Sequence, residues 1–260
     1  MLQHEEALAA YVDGVRARPE ALAVVAVGSV ARGDERPDSD VDVYLVVTDD
    51  HFAEAVAHDR FAWIERRGQD YPGSYIDIKL ASPRYLAAAA ERGDDPTRAS
   101  FRGARVAFSR MEGLPELLER IATLPSEVWD QRVRSYLAQA HLYGGYFLRQ
   151  AVERGDEFLL RHASVHLSLA AARALLAHAR ILMPGPKYIS ALVSSTPAPP
   201  GFRDAWERVL RAPSTQTAAT LLAVLDRLVE SPLSGDEKLS VFIRDNELTW
   251  LRGTTPAEFW

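Results

Sequence analysis

The sequence predicts an α+β protein in which an N-terminal domain, a mixed β-sheet flanked by helices, precedes an all-helical bundle domain. Apolar runs typical of buried strands alternate with helical patterns up to about residue 110. From about residue 114 the apolar residues recur almost only at helical spacing, and proline-rich stretches separate the segments. The 260 residues, 47% of them hydrophobic, suffice for two cores, and we place the domains at 1–124 and 125–260.

The first half is predicted to alternate between helices and strands. Leu8, Tyr11 and Val15 recur at helical spacing, and acidic residues come early and arginines late, as the helix dipole favours. Pro72 and Gly73 are typical of a turn and are predicted to lead the chain into the third strand. Strands are predicted at 21–27, 41–47, 75–80 and 105–109, helices at 3–17, 51–67 and 84–92, and a polar loop at 93–96.

The second half is predicted to be a helical bundle. Pro184, Gly185 and Pro186 end a long segment rich in Ala and Leu, and further prolines separate the shorter segments that follow. Helices are predicted at 127–150, 157–182, 201–211, 215–230 and 236–250.

One stretch, residues 28–47, combines an anion-binding turn with a pair of acids. The strand at 21–27 stops at Gly28, and a strand that ends in Gly-Ser lets backbone N–H groups approach an anion closely. Ser29 can also offer its hydroxyl to a phosphate oxygen. Gly33 is predicted to end the following turn, because it tolerates the positive φ of a helix exit.

Three carboxylates are predicted to converge beside this turn. Asp40 and Asp42 are two positions apart at the start of a predicted strand, so they project from one face. Asp77 lies between isoleucines on the next strand and shares a face with Tyr75 and Lys79. If the two strands are neighbours, the three acids meet, and such oxygen ligands suit magnesium. Two such ions could hold the attacking and leaving oxygens of an in-line displacement, which is the chemistry of phosphoryl or nucleotidyl transfer.

Composition excludes several other classes of protein. The absence of cysteine removes disulfides, thiolate nucleophiles and thiolate zinc sites. A net charge of −6 argues against a general nucleic-acid surface. The segment 34–59 is rich in Asp and Glu, contains no lysine and only one arginine, Arg36, and favours metal ions and cationic substrates. No apolar run is long enough for a membrane span, and no signal peptide is evident, so we expect a cytoplasmic location.

The ordered set of Gly28-Ser29, Gly33, Ser39-Asp40-x-Asp42 and a third Asp on a later strand resembles the DNA polymerase β-like nucleotidyltransferase superfamily. It is most similar to small bacterial members, the aminoglycoside and lincosamide nucleotidyltransferases and the minimal nucleotidyltransferases. The resemblance covers residues 20–110. It implies a metal and catalytic set of Asp40, Asp42 and Asp77, with two Mg²⁺ ions, and a nucleotide-binding set that includes Gly28, Ser29 and Ser39.

The resemblance also implies that the helical domain closes over the nucleotide and holds the acceptor. Lys187, with Tyr188, follows a Pro-Gly-Pro turn at a helix start and is predicted to contact the triphosphate. The general base is either Asp77 or an acid of the helical half, for which Glu127 and Asp130 are candidates. His162 and His166 are one helical turn apart, but no third metal ligand is evident, and we expect them to be structural.

The predicted reaction moves a nucleoside monophosphate, AMP from ATP, to a hydroxyl of a small-molecule acceptor, with an aminoglycoside-like antibiotic as one candidate. Two alternatives remain open: an antitoxin-type enzyme that adenylylates a protein partner, and a non-catalytic nucleotide-binding module. An RNA-end nucleotidyltransferase is disfavoured, since the sequence lacks a basic surface.

Overall fold

A computed structural model describes residues 1–66 and 75–260. Pro72 and Gly73, the predicted turn, lie outside these residues. The chain forms two compact units, Met1–Thr123 and Leu124–Trp260. The first has a mixed five-stranded sheet with flanking helices and the second is mostly helical, which confirms the predicted fold class. The division of roles between 1–124 and 125–260 stays a prediction.

The first unit alternates helices and strands along the chain. Its elements are α1 (Leu2–Val15), β1 (Ala21–Val27), α2 (Gly28–Arg32), β2 (Val41–Val47), α3 (Asp49–Ala57), β3 (Ala62–Glu65), β4 (Ile76–Ala81), α4 (Pro83–Arg92), α5 (Asp95–Ser100), β5 (Arg105–Ser109) and α6 (Leu114–Ala122).

The strands form one sheet in the order β3-β4-β2-β1-β5. β2 and β4 are parallel, and every other neighbouring pair is antiparallel. The two most buried strands, β1 and β2, therefore pair with each other, and β4 lies on the outer side of β2. This order brings the start of β2 between the end of β1 and the start of β4.

Each face of the sheet carries its own apolar core. Val41 and Val43 pack with α1 on one face, whereas Tyr44 and Val46 pack with α4 and α6 on the other. The alternation follows from the two-residue period of a strand. Asp42 therefore projects from the face of Tyr44, at the start of β2.

The predicted helix at 51–67 is wrong for residues 58–66. α3 ends at Ala57, and Asp59 has a positive φ of 54°, which turns the chain out of the helix. Residues 62–65 form the edge strand β3, antiparallel to β4. A short edge strand with exposed side chains has too few apolar residues to show a period of two, so its pairing with β4 decides its structure.

The predicted polar loop at 93–96 also contains the start of a helix that was missed. Asp94 caps α5 by accepting a hydrogen bond from the Thr97 N–H at 2.9 Å, and Pro96 lies in its first turn. An acidic cap followed by proline is a helix-start pattern that the sequence does contain.

The second unit consists of helices joined by short turns. They are α7 (Ser126–His141), a π-helical segment (Leu142–Phe147), α8 (Leu148–Arg154), α9 (Glu157–His178), a 3₁₀ turn (Pro186–Tyr188), α10 (Ile189–Ser195), α11 (Phe202–Arg211), α12 (Thr215–Leu225), a 3₁₀ turn (Asp226–Leu228), α13 (Gly235–Phe242), a π-helical segment (Ile243–Glu247), α14 (Thr249–Arg252) and a 3₁₀ turn (Ala257–Phe259). Within residues 1–66 and 75–260, every helix is too short or too polar to cross a membrane.

The predicted helix at 127–150 is interrupted by the π-helical segment Leu142–Phe147. Gly144 lies within it, and a Cβ there would come to about 3.1 Å from both Leu167 methyl groups. The glycine thus permits close packing of this segment on α9.

Candidate active site

The turn from β1 to α2 brings the backbone against a carboxylate. Gly28 has a φ of +69°, and a Cβ built on it would lie 2.1 Å from Oδ2 of Asp42. Val27 and Asp42 are register partners of β1 and β2, which accounts for this approach. Residue 28 therefore has to be glycine, both for its backbone conformation and for the space that Asp42 occupies.

The helix that follows, α2, is a single short turn with a defined end. Gly33 has a φ of 75°, as the sequence predicts. The Asp34 N–H donates to the Ser29 carbonyl at 3.1 Å, and the Gly33 N–H donates to the Val30 carbonyl at 3.4 Å. This pair of bonds is a Schellman motif, and it fixes the exit of the chain from α2. Ser29 is half-buried in the first turn.

Two of the predicted metal ligands are direct neighbours across the sheet. Asp42 of β2 and Asp77 of β4 are register partners in the parallel pair. Register partners of adjacent strands project from the same face, so the two carboxylates lie side by side. Both are half-buried at the start of their strands.

Asp40 joins this pair through Tyr75. The Tyr75 hydroxyl donates a hydrogen bond to the Asp40 carboxylate, and this bond is the main reason why the pKa of Tyr75 is raised. The negative charges of Asp40, Asp77 and Asp42 and the burial of the phenol raise the pKa further. Three carboxylates thus act on one phenol, and we refer to Asp40, Asp42, Asp77 and Tyr75 as the acid cluster.

Tyr75 was not among the predicted site residues. The sequence places it on the face of Asp77, two positions earlier, and that spacing is the signal that could have identified it. Its backbone carbonyl also accepts the Val41 N–H at 3.1 Å, next to Asp40. Tyr75 therefore holds the start of β2 by both its backbone and its side chain.

Metal binding by the acid cluster would require ligands from outside it. Among the residues that the structure describes, no three His, Asp or Glu side chains lie in an arrangement that could hold an ion by themselves. Magnesium commonly takes one or two carboxylates and completes its shell with water and substrate phosphates. The neighbouring carboxylates Asp42 and Asp77 and the Gly28 turn fit that kind of shared coordination.

Ser39 has a structural role in the loop before Asp40. Its hydroxyl accepts the Arg36 N–H at 3.0 Å, and its own N–H donates to the Arg36 carbonyl at 3.0 Å. The hydroxyl keeps a proton to donate, so its assignment to the nucleotide stays a prediction.

The predicted nucleotide contacts of the second unit lie on its surface. Lys187 and Tyr188 are both exposed in the 3₁₀ turn Pro186–Tyr188, with the Lys187 Nζ 4.9 Å from the centre of the Tyr188 ring. Glu127 and Asp130, the alternative bases, are exposed in the first turns of α7. These four assignments stay predictions.

His162 and His166 belong to a cluster of aromatic rings in the second unit. Their ring centres are 4.2 Å apart, and His166 stacks on Tyr143 at 4.6 Å. Tyr143 donates to Glu258, whose Oε1 is 3.8 Å from the His166 Nδ1. Burial and the neighbouring His162 lower the pKa of His166, although Glu258 opposes this.

Comparison with known proteins agrees with the geometry of the first unit. Residues 10–102 match the family model described as "Nucleotidyltransferase domain". Over these residues the first unit is therefore similar to nucleotidyltransferase domains. This match supports nucleotidyl transfer as the general class of activity.

A solved structure shares the fold over most of both chains. It is the crystal structure of a nucleotidyltransferase-like protein from Exiguobacterium sibiricum 255-15, at 13% sequence identity and a TM-score of 0.52. The similarity covers 96% of this chain and 87% of that chain. No curated protein matches the sequence.

Proposed function

We propose that the protein transfers AMP from ATP to a hydroxyl of a small-molecule acceptor. The observation that carries this proposal is the acid cluster itself: Asp42 beside Asp77 in register, Asp40 held by Tyr75, and the Gly28 turn directly against Asp42. In the proposed reaction a bond forms between the acceptor oxygen and the α-phosphorus. The bond from that phosphorus to the bridging oxygen breaks, and pyrophosphate leaves.

The turn after β1 is proposed to bind the phosphates. Gly28 has no side chain, so its backbone is open beside Asp42, and Ser29 follows with a hydroxyl. Asp40, Asp42 and Asp77 would hold Mg²⁺, which when bound neutralises the phosphate charge and polarises the phosphoryl oxygens. Two ions are expected from the resemblance, and Lys187, Tyr188 and Ser39 are proposed as further nucleotide contacts.

The acceptor proton is proposed to pass to Asp77. A general base has to come within hydrogen-bond reach of the acceptor hydroxyl, and Asp77 lies on the outer side of Asp42, towards the edge of the sheet. Glu127 and Asp130 remain alternatives for this role. A cationic acceptor such as an aminoglycoside-like compound fits the acidic segment 34–59 electrostatically.

The test is nucleotidyl transfer from α-labelled ATP, with Mg²⁺, to a panel of amino-hydroxyl compounds. We expect label in a small-molecule product with the wild-type protein and a loss of at least about a hundredfold with Asp40→Ala, as for removal of a charge-stabilising group. Asp38→Asn is the matched control, because Asp38 is exposed and pairs only loosely with Arg36 at 3.5 Å. Full activity of a folded Asp40→Ala protein would contradict the proposed role of the acid cluster.

A further inference from the structure

The loop that presents Asp40 lies outside the regular sheet. β2 begins at Val41, so Asp40 follows directly on the irregular segment after Gly33. Within this segment the turn 36–39 is closed by hydrogen bonds between Arg36 and Ser39. These bonds fix the turn internally, but they do not attach it to the rest of the unit.

Besides the contacts of Tyr75 with Asp40 and Val41, the loop is attached to the first turn of α1. The His4 Nε2 lies 3.1 Å from the carbonyl oxygen of Ser39, the residue before Asp40. A carbonyl oxygen can only accept, so Nε2 carries the proton and donates it. In addition, the Gln3 Nε2 donates to the Pro37 carbonyl at 2.8 Å. Two consecutive side chains of α1 thus bind the loop at alternate carbonyls.

The imidazole is held rigidly, because His4 is fully buried at 0% exposure. α1 itself is fixed by Leu8, Val12 and Val15, which pack in the core against β1 and β2. A fully buried polar side chain is costly unless its hydrogen bonds are made, so the bond to Ser39 is favoured. The position of the peptide before Asp40 is therefore coupled to the core of the sheet through His4.

We propose that His4 is a positioning residue for the metal-binding carboxylate of Asp40. This inference rests on the proposed function. His4 touches neither substrate nor metal; its N–H fixes the Ser39 carbonyl, and with it the backbone from which Asp40 projects. The bond limits the directions that the Asp40 carboxylate can take and so favours the arrangement that Mg²⁺ needs.

The test compares three variants of α1. His4→Leu removes the donor at similar size, His4→Gln keeps an N–H donor, and Val12→Ala destabilises the same helix from within the core without touching the loop. Two properties are measured for each. They are the Mg²⁺ concentration that gives half of the ATP-dependent rise in melting temperature, and the deuterium uptake of a peptide covering residues 34–41.

We expect His4→Leu to raise the half-saturating Mg²⁺ concentration about fivefold, which is the worth of one ordinary hydrogen bond, and to speed deuterium uptake in 34–41. His4→Gln is expected to stay within about twofold of wild type, and Val12→Ala to lower the melting temperature without changing either property. Equal behaviour of His4→Leu and Val12→Ala, or an unchanged His4→Leu protein, would overturn the proposal.

The two readouts separate this proposal from the proposed function. A wild-type protein that binds Mg²⁺ with ATP but labels no acceptor would contradict the proposed transfer reaction. The positioning role of His4 would still be decided by the Mg²⁺ dependence and deuterium uptake of the three α1 variants. Faster exchange in 34–41 without a change in Mg²⁺ dependence would show that His4 fixes the loop but not the carboxylate, which also overturns the proposal.

Discussion

At the scale of single residues, the carboxylate of Asp42 determines what residue 28 can be. Its Oδ2 occupies the place where a side chain at Gly28 would begin. Gly33, at the other end of α2, has nearly the same positive φ but no atom within 4 Å of a built Cβ. A comparison of substitutions at the two glycines therefore separates the effect of backbone strain from the effect of contact with the acid cluster.

Gly28→Ala is predicted to abolish nucleotidyl transfer and to destabilise the protein more than Gly33→Ala. An alanine at either position is strained by about 1–2 kcal/mol, because its φ is positive. At residue 28 the added methyl group also has to displace the Asp42 carboxylate. We expect a loss of transfer of at least about a hundredfold for Gly28→Ala and near-normal transfer for Gly33→Ala. Steady-state rates and urea unfolding measure the two effects, and equal losses of transfer would contradict the prediction.

Tyr75→Phe is predicted to weaken Mg²⁺ binding without unfolding the protein. The variant keeps the ring and the backbone bond to Val41 but removes the hydroxyl that holds Asp40. A hydrogen bond to a charged group contributes about 1.5 kcal/mol or more, so the half-saturating Mg²⁺ concentration should rise roughly tenfold. Tyr44→Phe is the matched control, since its hydroxyl faces Ser100 at 3.4 Å. Similar Mg²⁺ dependence in the two variants would argue against the role of Tyr75.

At the scale of elements, the strands with continuous apolar runs could be predicted from the sequence and the edge strand could not. β1 and β2 are buried on both faces, and their composition alone indicates a strand. β3 has exposed and half-exposed residues, so only its pairing with β4 identifies it.

The candidate site likewise has features that the sequence indicates and features that only the structure shows. The two-residue spacing of Asp40 and Asp42 follows from the sequence, and so does the common face of Tyr75 and Asp77. The register that sets Asp42 beside Asp77 depends on which strands are neighbours. The contact of His4 with Ser39 joins residues far apart in the chain, and no local pattern indicates it.

The helix α9 supplies a prediction about pH. Burial and His162 lower the pKa of His166, so the folded protein favours the neutral imidazole more than the unfolded chain does. The unfolded chain binds the proton first, at a pKa of about 6.5. The contribution of His166 to stability is therefore complete above that pH and is lost as the pH falls through the lower pKa of the folded state.

His166→Gln is consequently predicted to flatten the fall in melting temperature between about pH 7 and pH 5, compared with wild type. Melting curves by circular dichroism across that range measure it. A His166→Gln protein with the wild-type slope would contradict the assigned pKa direction.

At the scale of the whole molecule, the negative charge of the chain leads us to expect that nucleotide binding depends on a metal ion. The chain carries a net charge of −6, and the acid cluster adds negative charge where the phosphates are proposed to bind. ATP without a cation would meet carboxylates next to its own phosphates, and like charges at short range repel. We therefore expect ATP to stabilise the folded protein only when Mg²⁺ neutralises the charge of its phosphates.

Mg²⁺ with ATP is predicted to raise the melting temperature by about 5–10 °C when the ATP concentration is near 100 times its dissociation constant. ATP with a chelator should change the melting temperature by less than about 1 °C. Binding to the native state alone at that concentration contributes about 2.7 kcal/mol, and for a chain of this length each kcal/mol corresponds to about 2–4 °C. Asp42→Asn should lose the effect and Asp38→Asn should keep it, because the exposed Asp38 carries the same charge outside the acid cluster. An equal shift in the two variants would mean that the nucleotide binds elsewhere in the chain.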